Sequence, residues 1–187
     1  FQAGARTEIK PGVHAFEINC TNGFGAQVIC AQKDDASGAL VARLDTPAAY
    51  DPLGGVPKLF VAFPLNGLRE FPLPVAINSE HFTPRSERDG IPLGAGDSKA
   101  NIRNQQLFAD GCEAVVSAVA CAAERGWTGL ASASIVRGTF NQTWTDAQWL
   151  RKTLYDRLIS GMRKSALLRT VSLNLVPPQT AWIPAAA

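Results

Sequence analysis

The chain has 187 residues, of which 46% are hydrophobic and 18% charged, and its formal net charge at pH 7 is +2. This length allows one large domain or two small ones, and the hydrophobic share is sufficient for an ordinary core. A nearly neutral chain has no strong general attraction to polyanions, so neither nucleic acid nor a membrane is expected as a partner. The candidate for a local basic patch is the stretch from Arg151 to Arg169.

The sequence contains no recognisable targeting segment. No apolar stretch approaches the roughly 20 residues that a membrane span needs, and no signal peptide is visible. We therefore expect a cytoplasmic protein. Because the chain begins with Phe1 and lacks an initiator Met, we also expect it to be a fragment of a longer protein.

The four cysteines are Cys20, Cys30, Cys112 and Cys121. They form no CxxC pair and lie far from both histidines, so no structural zinc site, and no other metal site, is expected. Cys112 and Cys121 fall in one predicted helix, too far apart for a disulfide. Cys20 and Cys30 fall on neighbouring predicted strands and could face each other, but reduced buried thiols are the favoured interpretation.

The N-terminal part predicts a small antiparallel meander. Residues 1 to 12 resemble a frayed lead-in, and strands are predicted over residues 13–18, 26–32 and 39–44. The first two are separated by an Asn-Gly turn, which is the strongest short hairpin signal. A segment rich in Pro and Gly, residues 47–57, then crosses to the next strands.

Two apolar runs, Leu59 to Phe63 and Leu73 to Ile77, predict buried strands, since they are rich in β-branched and aromatic residues. Pro64 ends the first run. Pro72 and Pro74 are compatible with the second strand only at its start or if the strand lies at a sheet edge. These strands complete a sheet of about five. They deliver a polar loop that carries Arg85 and Arg88 to one edge of that sheet.

A long helix is predicted from Lys99 to about Arg125, with Ser98 as its N-cap. Gly111 lies inside it at a cost of about 1 kcal/mol relative to Ala, so it marks either a close contact with the sheet or a break. Gly126 fits the end of the helix. The predicted apolar side consists of Ile102, Leu107, Val115, Val116 and Val119.

A second helix is predicted from a capping box, with Thr145 as N-cap and Gln148 at N3, to about Lys164. Alternation in residues 171–175 predicts a last strand. The fold class is therefore α+β: a mostly antiparallel or mixed sheet of about five strands with a long helix on one face, then a smaller helix-plus-strand segment. We divide the chain into a domain at residues 1–127 and an extension at residues 128–187, which can belong to the same domain.

The segment order "FPL, LPVAIN, HF, SERDGI, then a helix with NQQL" resembles the region that follows the nucleotide-binding domain in sacsin-repeat proteins. These belong to the wider GHKL group, which includes the ninety-kilodalton heat-shock chaperone. The resemblance covers roughly Leu59 to Trp127 and the remainder loosely. The family often has two adjacent arginines before the Asp, whereas here Glu87 precedes Arg88 and Asp89, so only Arg88 matches.

This resemblance implies the middle, post-ATPase domain of a larger protein, which couples the nucleotide state of a missing N-terminal ATPase domain to a partner or client. ATP and Mg²⁺ would bind in the parent protein and not in this chain, which lacks the DxGxG turn that holds adenine. The resemblance assigns to Arg88 a contact with the terminal phosphate, with Arg85 as substitute. The alternative role for Arg88 is a salt bridge to Asp89 or Glu87 that shapes the loop.

Other candidates have weaker support. The loop from Gly94 to Lys99 precedes a helix N-terminus that could hold an anion, but GxxxxGK[ST] is absent, which favours a surface linker. His14 and His81 could act as bases in a free-standing hydrolase, although no partner has diagnostic spacing. Trp144 and Trp149 could anchor a partner in an interaction module unrelated to ATP, or pack onto the sheet.

Overall fold

A computed structural model of the chain describes residues 57–68, 71–73, 75–124, 130 and 142–181, together with the backbone of three strands near the N-terminus. Those strands are β1 (Gln2–Lys10), β2 (Val13–Asn19) and β3 (Gly25–Ala31), and each pairs antiparallel with the next. An antiparallel meander is therefore present, but it consists of β1, β2 and β3, and β1 was not among the predicted strands. The prediction of a lead-in at residues 1–12 is wrong, since β1 occupies it. The predicted strand at residues 39–44 and the turn at residues 21–23 lie outside the described residues.

The two predicted inner strands are present but short. β4 (Leu59–Phe60) pairs parallel with β5 (Ala76–Asn78), and β5 pairs antiparallel with β3. β4 ends early because Ala62 takes a positive φ of 56°, and its N–H donates to Asn78 Oδ1 at 3.1 Å. The predicted strand extents, Leu59 to Phe63 and Leu73 to Ile77, were therefore too long.

Hydrogen-bonded neighbours follow the order β1, β2, β3, β5, β4. A mixed α and β fold with one long helix is confirmed. The finer prediction, one sheet of about five strands under that helix, stays a prediction, because the strands with described side chains are short.

The long helix, α1, spans Lys99–Glu124. Ser98 is its N-cap as predicted: its Oγ accepts the N–H of Asn101 at 3.2 Å, and its carbonyl accepts that of Ile102 at 3.0 Å. Ile102 is 55% exposed, so its assignment to the apolar side was wrong. The predicted stop at Gly126 lies outside the described residues.

α1 packs directly on the sheet at Gly111. A Cβ at this position would lie 3.1 Å from Cδ1 of Ile77 in β5, so Gly111 marks a close contact and the helix runs through it unbroken. By length and composition α1 is apolar enough to cross a membrane, which the sequence analysis did not expect. Since 56% of its apolar window is buried inside the fold, α1 has the pattern of a core helix.

The second helix has three segments: α2 (Ala147–Thr153), a π-helical segment (Leu154–Ile159) and α3 (Ser160–Lys164). Its N-cap is Asp146 and not Thr145, because Asp146 Oδ1 accepts the N–H groups of Gln148 and Trp149 at 2.9 and 3.0 Å. The backbone around Thr145 instead forms a parallel bridge to Leu93. Thr145 Oγ1 is buried without a hydrogen-bond partner among the described residues.

The chain then forms a hairpin from β6 (Leu168–Arg169) and β7 (Leu175–Val176), followed by a 3₁₀ turn at Pro178–Thr180. The predicted strand through residues 171–175 was wrong, since a turn separates the two strands. The alternating apolar residues there do not form the buried face of a strand, since Val171 and Leu173 are exposed.

One hydrophobic core joins the sheet, α1 and the second helix across the predicted boundary at residue 128. Gly161 of α3 lies so close to α1 that a Cβ there would meet Val116 Cγ2 at 2.9 Å. The largest fully buried side chains are Phe108, Leu59, Leu65, Leu68, Ile77, Ile91, Leu93, Leu158 and Met162.

Candidate functional site

The polar loop between β5 and α1 contains a tight turn, residues 85–90, which we call the arginine turn. The N–H of Arg85 donates to the carbonyl of Gly90 at 2.9 Å, and the N–H of Arg88 donates to the carbonyl of Arg85 at 3.0 Å. Arg88 has a φ of 55°, a conformation that costs energy for a residue with a side chain. The two candidate arginines thus lie at the base and at the tip of one turn.

Arg85 holds the turn together. Its guanidinium contacts Glu87 Oε2 and Asp89 Oδ2, both at 3.3 Å, and stacks on the Trp144 ring with Cζ 5.3 Å from the centroid. The salt bridges considered as an alternative role for Arg88 are therefore made by Arg85. The pKa of Glu87 lies below its ordinary value, chiefly because its backbone N–H and the Ser86 hydroxyl bind the carboxylate, with a smaller effect of the Arg85 charge.

Arg88 is exposed, and its Cζ lies 5.4 Å from the centroid of the Phe63 ring. Among the described residues no carboxylate pairs with it, because Arg85 contacts both nearby acidic side chains. Stacking on an aromatic face orients a guanidinium and leaves its N–H edge available for two parallel hydrogen bonds. This arrangement is suited to an anion with paired oxygens, such as phosphate or carboxylate.

Three amide side chains from the first two turns of α1 hold the loop that carries the arginine turn; we call them the amide clamp. Asn104 accepts from the N–H of Thr83 and donates to its carbonyl, both at 2.9 Å. Asn101 and Gln105 both donate to the carbonyl of Gly94. Asn101 and Asn104 are buried, and sequence reasoning missed them, although polar residues three apart on a predicted core helix were the available signal.

The two tryptophans do not act as one unit. Trp144 packs on the arginine turn so closely that a Cβ at Gly90 would lie 2.4 Å from its Cη2 atom. Trp149 packs on α1, with its ring centroid 6.0 Å from that of Phe108. Both are half-buried. Full burial would indicate packing and open exposure would favour partner binding, so this intermediate burial does not distinguish the two roles.

A groove of about 380 Å³ lies between the first half of α1 and the start of the second helix. Charged residues at its wall form ion pairs, Lys152 with Asp156 and Arg157 with Glu113. Its lining combines apolar and polar side chains: Ile102, Gln105, Gln106, Ala109, Trp149, Lys152, Thr153, Asp156 and Arg157. Its described lining residues include no histidine and no cysteine.

The remaining candidates are dispersed. His81 is partly exposed and its Nε2 lies 4.0 Å from Glu80, while the side chain of His14 lies outside the described residues. The Gly94–Lys99 loop is fixed by the carbonyls of Gly94 and Gly96, which accept from Asn101. Within the described part of the chain, no group of three His, Cys, Asp or Glu side chains could hold a metal ion.

Cys112 and Cys121 of α1 carry free thiols, as predicted. Cys112 is fully buried, and desolvation raises its pKa far above the ordinary range, so it is protonated and unreactive. The backbone of Cys30 lies opposite His14 in the β2–β3 ladder, and Cys20 lies outside the described residues.

Comparison with known proteins gives no match: no family model, no curated protein and no solved structure is similar to this chain.

Proposed function

We propose that this chain is a coupling domain, inactive alone, that presents Arg88 to a phosphate group held by a neighbouring domain of the same protein. The observation that carries the proposal is the contrast between the two arginines. Arg85 is neutralised by two carboxylates, whereas Arg88 is exposed at the tip and has no such partner among the described residues. The arginine turn therefore holds the Arg88 guanidinium at a fixed position where it is available to an anion.

The resemblance to the post-ATPase region of sacsin-repeat and GHKL proteins supplies the neighbour in this proposal, an N-terminal ATPase domain that binds ATP and Mg²⁺. Arg88 would stabilise negative charge on the terminal phosphate, as arginine fingers do. The finer fold belongs to the proposal: about five strands form one sheet with α1 on one face, which the ladders from β1 to β4 support. A cytoplasmic location fits an ATP-dependent protein.

The test is ATP turnover by the full-length protein with Arg88→Ala. Arginine fingers contribute on the order of 10³ to 10⁵ in rate, so we expect turnover to fall at least about tenfold. Arg103→Ala removes another exposed arginine, from α1, and is the matched control that should leave turnover unchanged. Unchanged turnover in Arg88→Ala would exclude the phosphate contact.

The groove favours a second function, an interaction module unrelated to ATP. The observation is that Ile102, at 55% exposure, lines the groove beside half-buried Trp149. If a partner or another domain covers this groove, a cysteine at Ile102→Cys in the full-length protein will react slowly with a thiol reagent, while Arg103→Cys reacts rapidly. Equal rates would contradict this second function. The groove gives the hydrolase hypothesis no support, because no histidine is among its described lining residues.

A further inference from the structure

The hairpin formed by β6 and β7 displays two large apolar side chains at its tip. Val171 is fully exposed and Leu173 is 70% exposed. Single exposed apolar residues are ordinary on protein surfaces, but two within three residues at the end of a projecting turn form a concentrated apolar surface. Such a tip needs a physical explanation.

The tip has a defined conformation. The N–H of Thr170 donates to the carbonyl of Asn174 at 2.8 Å, and the N–H of Asn174 donates to Thr170 Oγ1 at 3.1 Å. Leu173 has a φ of 64°, which is a rare conformation for a bulky residue and is concentrated at functional sites. The backbone thus tolerates strain at the same residue that presents a leucine to solvent.

One cation lies at the tip, and two more lie close to the hairpin along the chain. The Arg169 guanidinium donates from Nη1 to the carbonyl of Leu173 at 3.4 Å, which places it at the turn itself. Arg163 and Lys164 are exposed at the end of α3, a few residues before the hairpin. No acidic residue follows Asp156 in the sequence, so no neighbour along the chain offsets these cations.

We propose that this basic hairpin, residues 163–176, binds an anionic lipid surface. Val171 and Leu173 enter the boundary between headgroups and acyl chains, while Arg163, Lys164 and Arg169 contact lipid phosphates. Apolar insertion combined with positive charge is the pattern of interfacial membrane binding. The proposal goes beyond the phosphate contact of Arg88 and uses none of the arginine turn.

Charge complementarity and the apolar tip together select lipid over the other polyanion. A single-stranded nucleic acid would be bound by cations with aromatic side chains that stack on bases, and the segment from Arg163 to Val176 contains no aromatic residue. The expectation that no membrane is a partner came from the net charge of the whole chain, which conceals a local excess of cations. It is replaced here by the opposite proposal.

The test is co-sedimentation of the protein with vesicles of phosphatidylcholine alone or with about one-third phosphatidylserine. We expect binding to the anionic vesicles that weakens as salt is added, because the surface potential is screened. Val171→Ser with Leu173→Ser should lower the partition coefficient at least tenfold, and so should Arg163→Gln with Lys164→Gln and Arg169→Gln. Tyr155→Ser removes an exposed aromatic side chain from the π-helical segment and is the matched control.

Two results would overturn the proposal: absence of binding to anionic vesicles, or binding that the serine variants leave unchanged. A single-stranded oligonucleotide that binds more tightly than the vesicles would also overturn it. A polarity-sensitive fluorophore on Ser172→Cys supplies a second measurement that does not depend on affinity. It should report an apolar environment with anionic vesicles, and an unchanged spectrum in the presence of bound vesicles would contradict insertion.

Discussion

Asn104 of α1 satisfies both backbone polar groups of Thr83, since its Oδ1 accepts the Thr83 N–H and its Nδ2 donates to the Thr83 carbonyl, each at 2.9 Å. The same Nδ2 donates to the Pro92 carbonyl at 3.3 Å. One buried amide therefore fixes both ends of the segment that contains the arginine turn. This pairing is the physical link between the long helix and the proposed phosphate contact.

Removal of this amide should destabilise the protein strongly. Asn104→Ala removes three part-buried hydrogen bonds, two to Thr83 and one to the Pro92 carbonyl, and each contributes about 0.5 to 1.5 kcal/mol. We expect the free energy of unfolding, measured with urea, to fall by about 2 to 4 kcal/mol. Gln106→Ala, which removes an exposed amide bonded only to Asp110 among the described contacts, should change it by less than about 0.5 kcal/mol. Similar losses in both variants would contradict the clamp.

The cap of the second helix gives a prediction that separates two neighbouring residues. Asp146→Ala removes the side chain that accepts two helical N–H groups, so it should cost about 0.5 to 2 kcal/mol. Thr145→Val should be neutral or slightly stabilising, since the buried Thr145 Oγ1 has no hydrogen-bond partner among the described residues. Thermal unfolding of both variants checks this, and a larger loss at Thr145 would restore the cap that the sequence predicted.

The contact between Gly111 and Ile77 predicts coupling between helix and sheet. Gly111→Ala gains about 1 kcal/mol of helix propensity, but its Cβ would lie 3.1 Å from Ile77 Cδ1 and 3.3 Å from Cγ2. We expect a near-neutral effect in the natural background. In an Ile77→Val background, which removes Cδ1, the same substitution should stabilise by about 0.5 to 1 kcal/mol. Strict additivity in this double-mutant cycle would show that helix and sheet do not touch there.

The buried thiol of Cys112 predicts a pH dependence. Its pKa is raised in the folded state by desolvation, so the stabilising contribution of the protonated thiol is complete below the unfolded pKa of about 8.5. Above that pH the unfolded state loses a proton that the folded state retains, and stability falls by about 1.4 kcal/mol per pH unit. We expect this slope between pH 9 and 10.5 in the natural protein relative to Cys112→Ala. Parallel pH profiles would contradict the burial of the thiol.

The long helix was predictable because its signals are local. The N-cap Ser98 specified where α1 begins. Gly111 inside the apolar face indicated either a close contact or a break, and the structure has the close contact. The second helix also followed its apolar spacing, since Leu150, Leu154, Leu158 and Met162 are all buried. In both helices the helix period indicates most of the side chains that face the core, although Ile102 of α1 is an exception because it is exposed.

The errors share a different cause. Val171 and Leu173 alternate as in a strand, yet hydrogen bonds between Thr170 and Asn174 close a turn there. At the other end, Ala3, Ala5, Thr7 and Ile9 alternate with polar residues, and that pattern of a half-buried strand was overlooked in β1. Thr145 lost the cap because the residues on either side of it pair with Leu93: the Leu93 N–H donates to the Trp144 carbonyl, and the Asp146 N–H donates to the Leu93 carbonyl. A short alternating run or a competing cap is therefore decided by the groups with which its backbone pairs, and alternation alone does not identify those groups.

For the candidate site, the sequence indicated the two arginines but not their division of roles. Which of them pairs with Glu87 and Asp89 depends on the positive φ of Arg88, which turns its side chain to Phe63 and leaves Arg85 beside both carboxylates. The amide clamp was invisible for a related reason. A polar residue in a helix becomes a loop-holding residue only when a distant loop supplies its partners.

The positive φ of Arg88 also provides the most direct test of the central claim. Glycine adopts that backbone conformation readily, so Arg88→Gly removes the guanidinium without disturbing the turn, and we expect the melting temperature to be unchanged or slightly higher. ATP turnover by the full-length Arg88→Gly protein should fall at least about tenfold, and added guanidinium ion at millimolar concentration should restore part of it. Turnover equal to that of the natural protein, or a loss that guanidinium does not restore in a folded variant, would contradict the phosphate contact of Arg88.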